Sequence, residues 1–206
     1  MTSRKPKDYI ISLIESVSEI SAIRYCNART KVSTHSPDAI PQTLILHKGS
    51  AELYRAKDHL LIRNIHAPAI LGLNFIFDDV PKIYMMANTE SQYEVVHRSR
   101  FEESVRKNNL WEALAYLQMH NTHLLSDVYF SLVGMSSYEI LCNCLMDLMN
   151  EPEFIRESVS ASDYIQRKSS LSRSGVMKIL GDLRSGGYIE LERGKLKKIL
   201  NLPKAY

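Results

Sequence analysis

The sequence predicts an α+β protein: an N-terminal antiparallel β-roll, a long helix, and a C-terminal winged helix-turn-helix. Short apolar stretches recur at roughly eight-residue spacing between residues 43 and 96, as in an antiparallel roll. Residues 109–132 carry a heptad pattern, and the pattern of residues 160–202 predicts two helices followed by a hairpin. We expect one domain over residues 1–133 and a second over residues 134–206.

The roll is preceded by an amphipathic helix over about residues 7–18, whose apolar side chains share one face. These side chains are Ile10, Leu13, Ile14 and Val17. Residues 19–42, which contain two prolines, support no assignment. Six strands are predicted: 43–47, 51–55, 59–63, 70–73, 82–87 and 93–96. Turns are expected at 48–50 and at 78–81.

A short polar helix is expected over residues 98–107, followed by the long helix. The long helix places mostly leucines at alternating steps of four and three. The heptad positions are Leu110, Leu114, Leu117, Asn121, Leu124 and Val128. We expect them to form a dimer seam in which Asn121 fixes partner number and register. An ordinary amphipathic helix packed on its own domain is the alternative. Trp111, Tyr116 and Leu125 lie off the seam and are expected to pack on the sheet.

The second domain is expected to begin after Gly134 and Met135, where the long helix breaks. Ser136 and Glu139 have the spacing of a capping box, and Glu151-Pro152 ends the next helix. Its inward side chains are expected to be Ile140, Leu141, Cys144, Leu145 and Leu148.

The helix-turn-helix is predicted from its start signals and its apolar spacing. A first helix over residues 161–168 follows Ser160, and Ser172 can cap a second helix. The apolar face of the second helix is formed by Val176, Ile179, Leu180 and Leu183. Gly186-Gly187 stops it, and residues 188–192 and 195–200 are predicted to form the hairpin called the wing.

The opposite face of the second helix is basic and rich in serine, which favours duplex DNA over a protein partner. A helix fits the major groove, and an arginine near its N-terminus, Arg173, can bond a guanine in bidentate fashion. The residues predicted to contact DNA are Ser169, Ser170, Ser172, Arg173, Ser174, Met177, Lys178, Lys195 and Lys197. Arg167, Lys168 and Lys198 are further cations of this surface. A protein-interaction adaptor remains the alternative.

Charge supports this interpretation, because it is distributed unevenly. The net charge is +3, but residues 156–198 hold ten basic and five acidic residues, and residues 32–155 hold nine and fifteen. A basic module on an acidic body is typical of a nucleic-acid binder. No apolar run is long enough for a bilayer, and no secretory signal stands out, so a cytoplasmic location without membrane contact is expected.

In this order, a roll, a long helix and a winged helix resemble the CRP/FNR superfamily of bacterial transcription regulators. The resemblance covers roughly residues 40–200 and is strongest over residues 171–180; residues 47–50 and 70–73 are similar to the family's roll. It implies that Arg173, Ser174 and Lys178 face DNA. It also implies double-stranded DNA, a second copy of the chain and RNA polymerase as partners. Within the superfamily, the chain resembles an enterobacterial type of regulator tied to peroxide resistance.

The chain departs from members of the superfamily that bind cyclic nucleotides. Those members carry a Gly-Glu pair for the ribose and an arginine for the cyclic phosphate, whereas here Leu73 follows Gly72, and Pro81-Lys82 stands where the arginine is expected. A buried phosphate without its arginine is poorly compensated. We therefore expect no cyclic nucleotide and no cofactor, so the roll is either a different sensor pocket, of unknown ligand, or a scaffold.

Other chemistry has little support. The three cysteines, Cys26, Cys142 and Cys144, match no zinc or iron–sulfur spacing. Cys144 is expected in the core, and Cys142, on the other helix face, is the candidate for a redox-gated alternative. His120 and His123 are expected to be solvated or interface residues rather than metal ligands. No nucleophile–base pair or phosphate loop stands out, so we do not expect an enzyme.

Overall fold

A computed structural model of the chain describes residues 5–33, 40–73 and 83–203. The chain divides into two compact units, Met1–Ser126 and Asp127–Tyr206. The division falls inside the long helix, Trp111–Leu132, rather than in a loop. A functional domain boundary after residue 133 stays a prediction.

The first unit begins with a helix and a short 3-10 helix (Ile20–Ala22), continues with eight strands in the described residues and ends with two helices. Its elements are α1 (Lys7–Val17), β1 (Arg24–Cys26), β2 (Lys31–Ser33), β3 (Gln42–Lys48), β4 (Ser50–Arg55), β5 (Leu61–His66), β6 (Ala69–Leu71), β7 (Ile83–Ala87), β8 (Ser91–His97), α2 (Arg98–Lys107) and the start of α3 (Trp111–Leu132). Within the described residues the strands form two antiparallel four-stranded sheets, ordered β1-β8-β3-β6 and β2-β7-β4-β5. This arrangement confirms the predicted antiparallel roll.

The sheet that contains β3 is buried on both faces. Leu44 and Leu46 point into the core between the sheets, whereas Ile45 points outward and packs against the helices. Successive strand residues alternate between faces, so an unbroken apolar run indicates a strand covered on both sides. The cover is supplied by α1, α2 and α3, and all four predicted apolar residues of α1 are buried there.

Two strand assignments need correction. The predicted strand over residues 59–63 begins only at Leu61, because His59 adopts a positive φ of 58° and its amide donates to the Arg55 carbonyl in the preceding turn. The stretch 70–73 leaves its strand at Leu71, since Gly72 also has a positive φ. The turn expected at residues 78–81 lies outside the described residues.

Strands β1 and β2 were not predicted. Each has three residues, and Val32 is the sole buried side chain between them. Both pair only at sheet edges, β1 with β8 and β2 with β7, so apolar alternation was too short to indicate them.

The second unit holds four helices and a hairpin in the described residues. After the end of α3 its elements are α4 (Ser137–Asn150), α5 (Glu153–Arg156), α6 (Ala161–Lys168), α7 (Arg173–Ser185), β9 (Ile189–Glu192) and β10 (Lys195–Ile199). The capping box at the start of α4 is present, because Ser136 accepts from the Glu139 amide and the Glu139 carboxylate accepts from the Ser136 amide. Helix α5 was not predicted.

The inward face of α4 is largely as predicted. Leu141, Leu145 and Leu148 are fully buried, and Cys144 is buried with them. Ile140 is only half-buried, and Tyr138 takes an inward position that was not predicted. The Tyr138 hydroxyl donates to the Pro203 carbonyl at 2.7 Å, which fastens the chain after the wing to α4. None of the helices in the described ranges is both long and apolar enough to cross a bilayer.

Candidate nucleic-acid interface

Helices α6 and α7 begin where the sequence predicts, and both are capped by serine. The Ser160 hydroxyl accepts from the Asp163 amide at 3.1 Å, and the Ser172 hydroxyl accepts from the Gly175 amide at 3.2 Å. Each cap satisfies one amide of a first helical turn. The four predicted apolar residues of α7 are buried, so the opposite face of α7 is turned to solvent.

The Ser172 cap explains why residue 175 is a glycine. A Cβ at residue 175 would lie 3.1 Å from the Ser172 Oγ, closer than most carbon contacts. Any side chain there would press on the hydroxyl that starts α7.

The wing is joined to α6 at its turn. Arg193 and Gly194 both have positive φ, 50° and 81°, which suits a two-residue hairpin turn. The Gly194 carbonyl accepts from the Ala161 amide at 2.8 Å, so the turn lies at the start of α6. At the other end, Gly187 has a φ of 73° and stops α7, as predicted.

The N-terminal half of α7 exposes a continuous polar and cationic face. The exposed residues that were predicted to contact DNA are Ser170, Ser172, Arg173, Ser174, Met177 and Lys178. Arg173, Ser174, Met177 and Lys178 lie opposite the buried face at helical spacing. Arg173 and Lys178 form no ion pair with any described residue. We name these six residues the α7 face.

Ser169 does not belong to that face. Its side chain is buried, and its hydroxyl donates to the Ile165 carbonyl at 2.7 Å and accepts from the Leu171 amide at 3.4 Å. These bonds terminate α6 and shape the turn. A serine at a helix end can either bond to the backbone of its own turn or face a ligand, and the sequence does not distinguish these two roles.

The predicted wing lysines are partly neutralised. Lys197 Nζ lies 2.7 Å from a Glu157 oxygen and 3.4 Å from a Glu192 oxygen, and Lys195 Nζ lies 3.7 Å from Glu157. The hydrogen bond to Glu157 raises the pKa of Lys197, and the same bond lowers the pKa of Glu157. Glu157 caps the end of α5, so sequence reasoning missed it together with that helix.

Other cations of this unit also differ in whether a carboxylate lies next to them. Lys168 is mostly buried, with its Nζ 2.5 Å from Asp147, so its charge is held at α4. Lys198 and Arg193 are exposed and make no ion pair within the described ranges. The positive electrostatic potential around the wing therefore comes more from Lys198 and Arg193 than from Lys195 and Lys197.

The predicted dimer seam is divided by the fold. Leu117 is 2% exposed in the core of the first unit, and Leu110 and Leu114 pack against that core. Asn121, Leu124 and Val128 are half-buried. The first half of the seam is thus in contact with its own unit.

A second apolar stripe on α3 is exposed. Its members are Trp111, Met119, Leu125, Tyr129 and Phe130. Trp111 and Leu125 were expected to pack on the sheet but are about half exposed, and Tyr116, also about half exposed, stacks on Tyr9 with ring centroids 4.6 Å apart. An exposed apolar stripe on a helix offers a surface to a partner.

The roll differs from a cyclic-nucleotide cradle in its packing as well as its sequence. Leu73, at the position of the family's glutamate, is buried in the core beneath the helices. The carbonyls of Gly72 and Leu73 accept from the Arg98 guanidinium, at 2.8 Å for Leu73. Lys82 lies outside the described residues.

The thiols favour their protonated forms. Burial raises the pKa of Cys144 to about 11, and burial also raises the pKa of half-buried Cys142, opposed by a hydrogen bond with Tyr138. A reactive thiol needs the opposite shift. Redox sensing by Cys142 stays an untested prediction that this environment does not favour.

Comparisons with known proteins agree with this architecture. Residues 137–204 match the family model described as winged helix-turn-helix DNA binding. The protein called inhibitor of hydrogen peroxide resistance from Escherichia coli K12 is 32% identical over 168 residues, 80% of this chain and 79% of that protein. Its namesake from Salmonella typhimurium is 32% identical over 183 residues, 83% of each.

Solved structures show the same fold. The c-di-GMP-responsive global regulator CLP of Xanthomonas campestris superposes with a TM-score of 0.71 at 13% identity, covering 94% of this chain and 99% of that one. A CRP/FNR-family transcriptional regulator from Thermus thermophilus gives a TM-score of 0.60 at 16% identity, covering 85% and 93%. The chain therefore belongs to the family of the inhibitor of hydrogen peroxide resistance and has the fold of the CRP/FNR regulators.

Proposed function

We propose that this protein is a homodimeric transcription regulator that binds specific duplex DNA through the α7 face. The observation that carries the proposal is the α7 face itself, where a serine cap is followed by two cations that form no ion pair with the described residues. Cations left unpaired on an exposed helix are available to an anionic partner. In the winged helix-turn-helix layout, this end of the second helix enters the major groove.

Each residue of the α7 face suits a different contact. Arg173, at the first position of α7, can donate two parallel hydrogen bonds to the O6 and N7 of a guanine. Met177, one turn further on, can contact a thymine methyl group. Ser170 and Ser174 are suited to phosphate oxygens, which set register without reading sequence. Lys178 reaches a base edge or a phosphate.

A second copy of the chain increases affinity, because two weak modules on one DNA bind together. We place the dimer contact on α3, through the half-buried seam residues Asn121, Leu124 and Val128 and the exposed Tyr129 and Phe130. Tyr129 and Phe130, which are more than half exposed, would otherwise remain in water.

We further propose that DNA binding does not require a cyclic nucleotide, because Leu73 leaves no acceptor for a ribose hydroxyl. The names of the relatives indicate the physiological setting, the negative control of peroxide resistance. There the regulator would act by helping or blocking RNA polymerase at its target promoters.

Three measurements test the proposal. Retention of genomic DNA fragments should fall steeply between low and high salt, since phosphate contacts release counterions. Sedimentation should show a dimer that Tyr129→Ser with Phe130→Ser weakens, while Tyr25→Ser, an exposed tyrosine on β1, does not. Calorimetry with cyclic AMP should show no heat of binding. Salt-independent retention, or a monomer at all concentrations, contradicts the proposal.

A further inference from the structure

A cavity of about 200 Å³ lies within the first unit, between the roll and its covering helices. Its walls come from β5, β6, α1 and α3 and from the residues just before α1. Its polar lining consists of Lys5, Arg63, Asn64, His66, His120 and Asn121. No Asp or Glu is among the described residues that line it.

Two cations face this cavity without an anion. The Arg63 side chain forms no hydrogen bond or ion pair with any described residue, and burial lowers its pKa to about 10. Lys5 donates to the His66 carbonyl at 2.5 Å, and burial, followed by repulsion from Arg63, lowers its pKa to about 8. A partly buried cation next to a like charge is unfavourable unless an anion joins it.

A third nitrogen group adjoins them. His120 Nδ1 is buried and has no hydrogen-bond partner within the described part of the chain. The pKa of His120 is lowered by burial and then by the charges of Arg63 and Lys5. Buried polar atoms in folded proteins are nearly always paired, so an orphan at a cavity wall points to a missing ligand or water.

The remaining walls are apolar. A smaller cavity of about 60 Å³ shares Arg63, Ile70, Leu71 and Asn121 with the first and is otherwise lined mainly by aliphatic side chains. Arg63 therefore lines both the larger cavity, which is cationic, and the smaller cavity, which is apolar. Both volumes are below the roughly 300 Å³ of drug-sized sites, so the ligand must be small.

We propose that this cavity binds a small organic carboxylate, with its carboxylate on the Arg63 guanidinium and its apolar part against Ile70 and Leu71. Arginine and carboxylate form two parallel charge-assisted hydrogen bonds, and Lys5 and His120 are placed to add a third. The carboxylate end of the site uses β5, α3 and the N-terminal residues, whereas Gly72 and Leu73 line only the smaller apolar cavity. It does not involve the α7 face, although Asn121 and Leu124 of its wall are also residues of the predicted dimer seam.

Benzoate is the probe, and benzamide is its neutral counterpart of the same shape. Titration of the full chain, followed by amide NMR, should give saturable shifts at β5, β6 and α3 with benzoate. Benzamide should bind at least about tenfold more weakly, the size expected for a charged hydrogen bond. Arg63→Gln should lose benzoate binding by a similar factor, and Arg24→Gln, an exposed arginine on β1, should keep it.

Folding of the variants is checked separately. Arg63→Met removes an uncompensated charge while keeping most of the volume, so the ligand-free variant should melt at a temperature equal to or above that of the parent. Benzoate should raise the melting temperature of the parent but not of this variant. Equal binding of benzamide, unchanged binding by Arg63→Gln, or no saturable shift in the parent overturns the proposal. Tighter binding of inorganic phosphate than of benzoate overturns the carboxylate assignment.

Discussion

The α7 face and the wing are both basic in sequence, yet the fold treats their charges differently. Arg173 and Lys178 form no ion pair with the described residues, whereas Lys195 and Lys197 share the carboxylate of Glu157. A count of lysines along a strand therefore overstates the charge that the strand presents to a phosphate. The difference suggests that the α7 face serves recognition, while two lysines of the wing are already paired with carboxylates.

Arg173→Ala is expected to give the largest effect and tests whether the α7 face recognises bases. Loss of a bidentate guanine contact should cost about 1–3 kcal/mol on a specific site and relax the preference at one base pair. Arg184→Ala is the matched control, because this exposed arginine lies at the far end of α7 and should keep the preference. Fluorescence anisotropy on the selected site and on a substituted site measures both, and equal losses for the two variants would contradict the assignment.

Glu157→Gln tests whether Glu157 neutralises the lysines of the wing. Releasing Lys195 and Lys197 should strengthen non-specific duplex binding and steepen the slope of log affinity against log salt by about 1 to 2. Stability should change by less than about 1 kcal/mol, since the pair is partly exposed. Glu190→Gln, an exposed acid on β9, is the control for removing one negative charge. An equal effect of both variants would show that Glu157 has no special hold on the lysines.

Single lysine variants of β10 should lose duplex affinity to different extents, depending on whether the lysine is paired with a carboxylate. Lys198→Ala should reduce the salt slope by about 1 and weaken all sequences alike. Lys197→Ala should also weaken all sequences alike, but less, because its charge is already shared with Glu157. Anisotropy on a non-specific duplex across a salt series tells them apart; a larger effect at Lys197 would mean that DNA displaces Glu157.

The smallest effects are expected at the two serines of the turn. Ser169→Ala should lower stability by about 1 kcal/mol through its buried hydrogen bonds and leave DNA affinity per folded molecule unchanged. Ser170→Ala should do the reverse, with a slight loss of affinity and none of stability. Chemical denaturation together with anisotropy separates the two, and a DNA-binding defect of folded Ser169→Ala would return that residue to the interface.

The sequence predicted those parts of the fold that long periodic patterns specify. Helices α1, α6 and α7 have the expected bounds to within a residue or two, because apolar spacing and capping serines act locally. Strands β1 and β2 and helix α5 were missed, since three or four residues give no periodicity. The first half of the α3 seam was ambiguous for a related reason: a heptad pattern packs equally well on a partner or on its own unit.

The candidate interface was predictable where exposure follows from helix geometry and not where it depends on long-range pairing. The apolar face of α7 determined that Arg173 and Lys178 are exposed. The link between Lys197 and Glu157 joins residues forty positions apart, and the burial of Ser169 depends on how α6 ends. The approach of Arg63 and Lys5 at the roll cavity is equally long-range, and neither residue stood out in the sequence.

The central claim is that the N-terminal half of α7 reads bases. Sequencing of DNA fragments bound by the parent and by Arg173→Ala tests it most directly. We predict a two-fold symmetric motif with half-sites about ten base pairs apart, in which the variant loses its preference for guanine at one symmetric position. Fragments without any shared motif, or the same motif with every base preference intact in the variant, would contradict it.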